Sequence, residues 1–162
     1  MEGALCRSSL DACSSELRRG LLEGAMSGDT WTADRAHRRQ MITSPRCPYC
    51  GTEEKETEDQ ILWSCQAWAA CRNARMPDLR RLAAAAGLAP SRAEWPACLR
   101  LCGLPPRSLA EAPPQGTFPP FILALHIFIC DVLEIRKLKD ENSGAPLFVS
   151  RPPRGGYPMR DP

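Results

Sequence analysis

Two things are scarce in this chain. Aromatic residues make up only 6% of 162 residues, and histidine occurs twice. A core built from such a sequence is thin and rich in Ala and Leu, and two histidines leave little general-base chemistry. No Ser-His-Asp or Cys-His arrangement stands out. No Tyr/Phe-x-Asp-Asp motif is present, so there is no carboxylate pair for two-metal nucleotide transfer. The chain reads as a non-enzyme. Residues 1–10 lack an apolar stretch flanked by positive charge, so a secretory leader is not expected. The most apolar run, 121–130, is too short to span a bilayer and is followed at once by Asp131 and Glu134, so no membrane partner is expected.

Charge is nearly balanced. The net value of +2 does not by itself mark a nucleic-acid protein. Its distribution is uneven. Arg18, Arg19, Arg35, Arg38, Arg39 and Arg46 precede the acidic group Glu53, Glu54, Glu56, Glu58 and Asp59. Arg35, Arg38 and Arg39 share one helix face, as a grip on a phosphate backbone would require. An ordinary solvated face has the same pattern.

What the chain does have is cysteine: nine residues, an odd number. Without a leader, a disulfide scaffold is not expected, and reduced thiols with some metal ligands are the better reading of an intracellular protein. Eleven of the sixteen prolines fall after residue 103. The expected architecture is mainly α: a small helical domain around a zinc-knuckle-like CxxC turn over 14–103, a Pro-rich connector over 104–120, one further apolar helix over 121–139 and a disordered tail over 140–162.

Within the domain, Ser14 caps a helix carrying Leu17, Leu21, Leu22 and Ala25, and Gly28 ends it. Thr32 caps a second, short helix. Thr57 and Gln60 form a T-x-x-Q capping box that opens a helix to about Arg75, with Ile61, Cys65, Trp68 and Arg72 as its buried stripe. Pro77 opens another helix, which Gly87 stops. A short helix follows near 96–102. Residues 1–13 give no clear signal. The β-branched Ile122, Ile127, Ile129 and Val132 keep a strand open as the alternative over 121–139.

Cys47-Pro48-Tyr49-Cys50-Gly51 is a turn whose two thiolates can hold one metal ion, with Gly51 free to take a positive φ. Cys65 supplies a third thiolate. The fourth position in the spacing is Gln60, whose neutral amide oxygen is a poor zinc ligand beside thiolates. Four outcomes stay open: recruitment of Cys71, recruitment of His37, a water, or an empty site whose thiols pack as small hydrophobes. His126, amid Ile, Leu and Phe, reads as a core residue. Trp31, Trp63, Trp68 and Trp95 read as packing residues, with base stacking as the alternative. Cys98 and Cys102 read as buried thiols.

Leu21-Leu22-x-Gly24, Thr32-Ala33-Asp34-Arg35-x-His37-Arg38, Cys47-Pro48-Tyr49-Cys50-Gly51 and the run Glu56-Thr57-Glu58-Asp59-Gln60-Ile61-Leu62-Trp63-Ser64-Cys65 together resemble the zinc-binding region found C-terminal to the reverse transcriptase of non-LTR retrotransposons. The likeness covers about residues 17–72. It implies zinc held by Cys47, Cys50 and Cys65, with Gln60 where the family has histidine. It also implies an element-derived fragment that assists engagement of RNA or DNA. The alternatives are a metal-free helical module that binds a protein partner through 121–135, or a decayed element remnant with no selected role.

Overall fold

The computed structural model describes residues 2–106 and 118–143. The expected connector over 104–120 falls largely outside the described residues, and so does the expected disordered tail beyond 143. The described residues are mainly helical, as the sequence predicts, and hold no extended strand.

Helix α1 spans Glu2–Asp11, where the sequence offers no clear signal. Helix α2 spans Glu16–Met26. Its N-cap is Ser15, one residue later than expected, and the Ser15 hydroxyl accepts from the Arg18 N–H at 3.2 Å. Gly28, at φ +69°, terminates it. Helix α3 spans Ala33–Arg38, and the Thr32 hydroxyl accepts from the Arg35 N–H as expected. A loop then carries the cysteine turn. It is pinched by an antiparallel bridge between Arg46 and Lys55. The Cys47 N–H donates to the Glu54 carbonyl and the Glu56 N–H donates to the Pro45 carbonyl, each at 2.9 Å.

The expected single helix from Thr57 to Arg75 is broken. Gln60–Ser64 forms a wide π-type turn, Gln66–Trp68 a 3-10 turn, and helix α4 runs Ala69–Ala85. The break is Cys65, whose ψ of 120° is extended rather than helical. π-type turns are sequence-cryptic and recur at functional sites, so periodicity alone does not reveal this one. Pro77 lies inside α4 instead of opening a new helix. It cannot donate to the carbonyl four residues back, but Asn73 and Pro77 both face solvent, where water can serve that carbonyl. A 3-10 turn at Arg92–Glu94 and helix α5, Ala97–Cys102, precede Gly103, which stops α5 at φ +68°.

Helix α6 spans Phe118–Asn142, so the strand alternative is not taken. Its prolines sit in the first turn, where a missing N–H costs no hydrogen bond. The helix runs through the centre of the fold and packs chiefly on α4 and α2. Phe118, Phe121, Ile122, Leu125, Phe128, Ile129 and Val132 are buried. Trp63 lies against Phe128 with centroids 4.8 Å apart, and Trp95 meets Phe121 edge-on at 5.4 Å. Trp63, Trp68 and Trp95 are thus core residues. Arg18 forks between Asp131 and Glu134 at 2.6 Å each, fixing α2 to α6. Arg75 reaches Asp131 at 2.7 Å, fixing α4 to α6. By length and composition alone α6 is long and apolar enough to cross a bilayer, but 56% of its most apolar window is buried inside this fold, as in the core helix of a globular domain.

Candidate metal centre

The cysteine turn sits where the pinched loop meets the π-type turn. Gly51 takes φ +67°, the left-handed geometry expected of it. The extended backbone at Cys65 breaks the helix there, and its sulfur meets the turn. The Sγ atoms of Cys47, Cys50 and Cys65 all lie within 4.8 Å of one another. Cys47 Sγ and Cys65 Sγ, eighteen residues apart in the chain, are 3.7 Å apart. Two thiolates bound to one zinc at about 2.3 Å each, at a tetrahedral angle, lie about 3.8 Å apart. The donor set therefore fits a thiophilic ion, and the three residues that spacing singled out are brought together. Cys47 and Cys65 are buried and Cys50 is half-buried.

Gln60 reaches this site. It is 5% exposed, and its Nε2 donates to Cys50 Sγ at 3.4 Å. Its Oε1 has no partner. The Thr57 hydroxyl accepts from the Gln60 N–H at 3.2 Å, which is half of the expected capping box. The other half is absent: the Thr57 N–H goes to the Lys55 carbonyl, and the Gln60 side chain turns to the cluster. The position expected of a fourth ligand is occupied by an amide that donates to sulfur.

The three thiols differ. Burial pushes Cys65 up to about 12, and the neighbouring Cys47 sulfur adds to this. Burial also raises Cys47. At Cys50 burial acts the same way, but hydrogen bonds from the Thr52 hydroxyl and backbone, and from the other two thiols, overcome it and bring Cys50 down to about 7. Thr52 Oγ1 lies 3.1 Å from Cys50 Sγ.

The turn is braced from behind. Glu56 accepts from the Ala33 N–H at 2.6 Å and from the guanidinium of Arg136 on α6. Tyr49, inside the CxxC, donates its hydroxyl to Asp140 and packs against Trp68 with the rings tilted by 52° and centroids 5.1 Å apart. Burial and the Asp140 hydrogen bond together push the Tyr49 hydroxyl well above its ordinary value. In the sequence Glu56 stands out only as one of the acidic group and as the head of the run that ends at Cys65. Arg136, eighty residues away, carries no local signal that it belongs to this site.

The other candidate ligands lie elsewhere. His37 is exposed, with Nδ1 3.2 Å from the Ile42 carbonyl. Cys71 lines a groove with Arg75, Asp131 and Glu134. Among the described residues, neither joins the cluster. Arg35 pairs with Glu58 at 2.6 Å and Arg38 with Asp34 on its own helix. Arg39 is exposed and lies over the Trp31 ring at 5.3 Å. His126 is buried with Nε2 2.9 Å from the Gly103 carbonyl, a core histidine as expected. Compared with family models, with curated proteins and with solved structures, the chain matches none.

Proposed function

We propose that this chain is a non-catalytic, intracellular zinc-binding module that assists engagement of RNA or DNA. The convergence of three cysteine sulfurs from a turn and a helix break supports the metal reading. Cys47, Cys50 and Cys65 would hold the ion, with Gln60 beside Cys50. Bound zinc is structural in this account: it ties the cysteine loop to the segment that leads into α4, and that tie is folding energy.

The nucleic-acid reading is supported by the Arg35, Arg38 and Arg39 face on α3 and just beyond it, and by the likeness of 17–72 to a retrotransposon zinc-binding region. Arg39 is the readiest phosphate contact, since Arg35 and Arg38 already hold carboxylates. Fluorescence anisotropy with labelled single-stranded RNA and duplex DNA tests it. Affinity should fall with salt and fall further when all three arginines become alanine. Affinity indifferent to both removes this reading.

One observation favours a second reading. Leu123, Ile127, Ile135 and Leu138 on the outer side of α6 are 41%, 37%, 41% and 49% exposed. A protein partner over 121–135 would use Leu123, Ile127 and Ile135 and not Phe121 or Phe128, which the core consumes. Sedimentation of a strict monomer, with no dye-accessible apolar surface, counts against it.

A further inference from the structure

The fourth position of the cysteine cluster is filled by a hydrogen-bond donor instead of a ligand. Gln60 Nε2 lies 3.4 Å from Cys50 Sγ and points an N–H at it. The Thr52 hydroxyl lies 3.1 Å from the same sulfur and donates to it when Cys50 is a thiolate. Turned over, the amide would set an oxygen lone pair against a sulfur lone pair, so a thiolate at Cys50 holds it in this orientation. Gln60 is 5% exposed and its Oε1 is closed to solvent, so the side chain itself packs the space beside Cys50. Among the described residues no fourth cysteine, histidine or carboxylate comes near enough to join the three sulfurs. The chain thus presents three soft donors, two hydrogen bonds that stabilise charge left on one of them, and no fourth ligand.

That donor set suits one coordination number better than another. Structural zinc is almost always four-coordinate, and here it would have to take a water as its fourth ligand. Monovalent copper is selected by soft thiolates, and three of them complete its coordination. Three sulfurs in a plane around one ion, with bonds of about 2.3 Å, are about 4.0 Å apart, whereas two sulfurs in line with the ion are about 4.6 Å apart. Cys47 Sγ and Cys65 Sγ, at 3.7 Å, are too close for the linear pair, and the 4.8 Å limit on all three separations admits the triangle. A monovalent ion also leaves more negative charge on its thiolates than a divalent one, and the Gln60 and Thr52 hydrogen bonds to Cys50 stabilise that charge. We propose that Cys47, Cys50 and Cys65 form a three-coordinate, all-sulfur site whose preferred ion is Cu(I), and that Gln60 is the positioning residue that sets this preference by offering sulfur an N–H in place of a fourth ligand. Uptake exchanges three thiol protons for one Cu(I) and changes no oxidation state. This rests on the metal reading above: zinc occupies the site in the absence of copper and gives way to it.

The test uses the reduced full chain without oxygen, with Cu(I) supplied from a chromophoric Cu(I) chelator and Zn(II) as the competitor. X-ray absorption at the copper edge of the wild type should show three sulfurs and no nitrogen or oxygen ligand, and one Cu(I) per chain should expel bound zinc. Gln60→His, which adds a fourth ligand, should shift the preference toward zinc by about tenfold or more. Gln60→Leu, which keeps the volume and loses the N–H, should release Cu(I) to the chelator about tenfold more readily. A copper edge with two sulfurs, or with a nitrogen or oxygen ligand, overturns the three-coordinate site. Wild-type Cu(I) affinity in Cys50→Ser assigns the ion to Cys47 and Cys65 alone and also overturns it. An unchanged preference in Gln60→His, or wild-type Cu(I) retention in Gln60→Leu, overturns the role of Gln60. Bound zinc that one Cu(I) does not displace overturns the copper preference and leaves the metal reading standing. Failure of the wild type to take up either ion removes the metal reading itself.

Discussion

Arg136 grips Glu56 with two parallel hydrogen bonds, Nε to Oε1 at 2.9 Å and Nη2 to Oε2 at 3.0 Å. The residues are 1% and 0% exposed. One end of this pair is on the central helix and the other is at the base of the cysteine loop. Glu56 also receives the Ala33 N–H at the start of α3, so one carboxylate joins three segments. A buried pair of this kind is costly to break from one side. Arg136→Met strands the carboxylate and should destabilise the fold by about 3–5 kcal/mol. Adding Glu56→Gln should recover a good part of that. Urea unfolding of both single variants and the double variant reads the coupling. Additive losses would mean that the two side chains act independently.

Gly103 should not tolerate a side chain. Its φ is +68°, and a Cβ there would lie 2.7 Å from His126 Cδ2 and 2.8 Å from Nε2. Backbone strain and overpacking act together, so Gly103→Ala should cost about 2–5 kcal/mol. Thermal unfolding measures it. A loss under about 0.5 kcal/mol would show that α5 and α6 do not meet this closely.

His126 should make stability depend on mild acid. Burial lowers its pKa, and the Gly103 carbonyl opposes this only in part. Nε2 must donate to that carbonyl, which leaves Nδ1 buried without a partner to receive a proton. The unfolded chain therefore binds a proton more readily than the folded one. The contribution is fully present above about pH 6.5 and is lost as pH falls through the lower folded value. Urea unfolding at pH 7.5 and 5.5 should show this loss in the wild type and a smaller one in His126→Gln. Equal slopes would contradict it.

The metal-free cluster should react unequally. With Cys50 near 7 and Cys65 near 12, iodoacetamide should label Cys50 first, with a rate that rises through about pH 7. Thr52→Ala removes a hydrogen bond to the thiolate and should move that midpoint upward. Zinc should slow labelling of all three cysteines. Peptide mass mapping of partly alkylated protein gives the order, and a first reaction at Cys65 would overturn it.

The helical class, the capping of α3 by Thr32 and the stops at Gly28 and Gly87 were legible in the sequence, because caps and positive-φ glycines are local signals. The cysteine triad was legible for the same reason: its spacing is short and its residue type rare. The break at Cys65 was not, since nothing in the residues 60–68 marks a π-type turn against an α-helical stripe. The Glu56–Arg136 pair spans eighty positions, and such a partnership exists only once α6 has docked.

The central claim is that three sulfurs hold a metal ion although the fourth ligand position carries Gln60. Zinc content of the purified full chain, for wild type, Cys65→Ala and Gln60→His, tests it most directly. Stoichiometric zinc is expected in the wild type, little in Cys65→Ala, and tighter retention against a chelator in Gln60→His, where imidazole replaces the amide. Zinc in Gln60→His alone, or in none of the three, would contradict it.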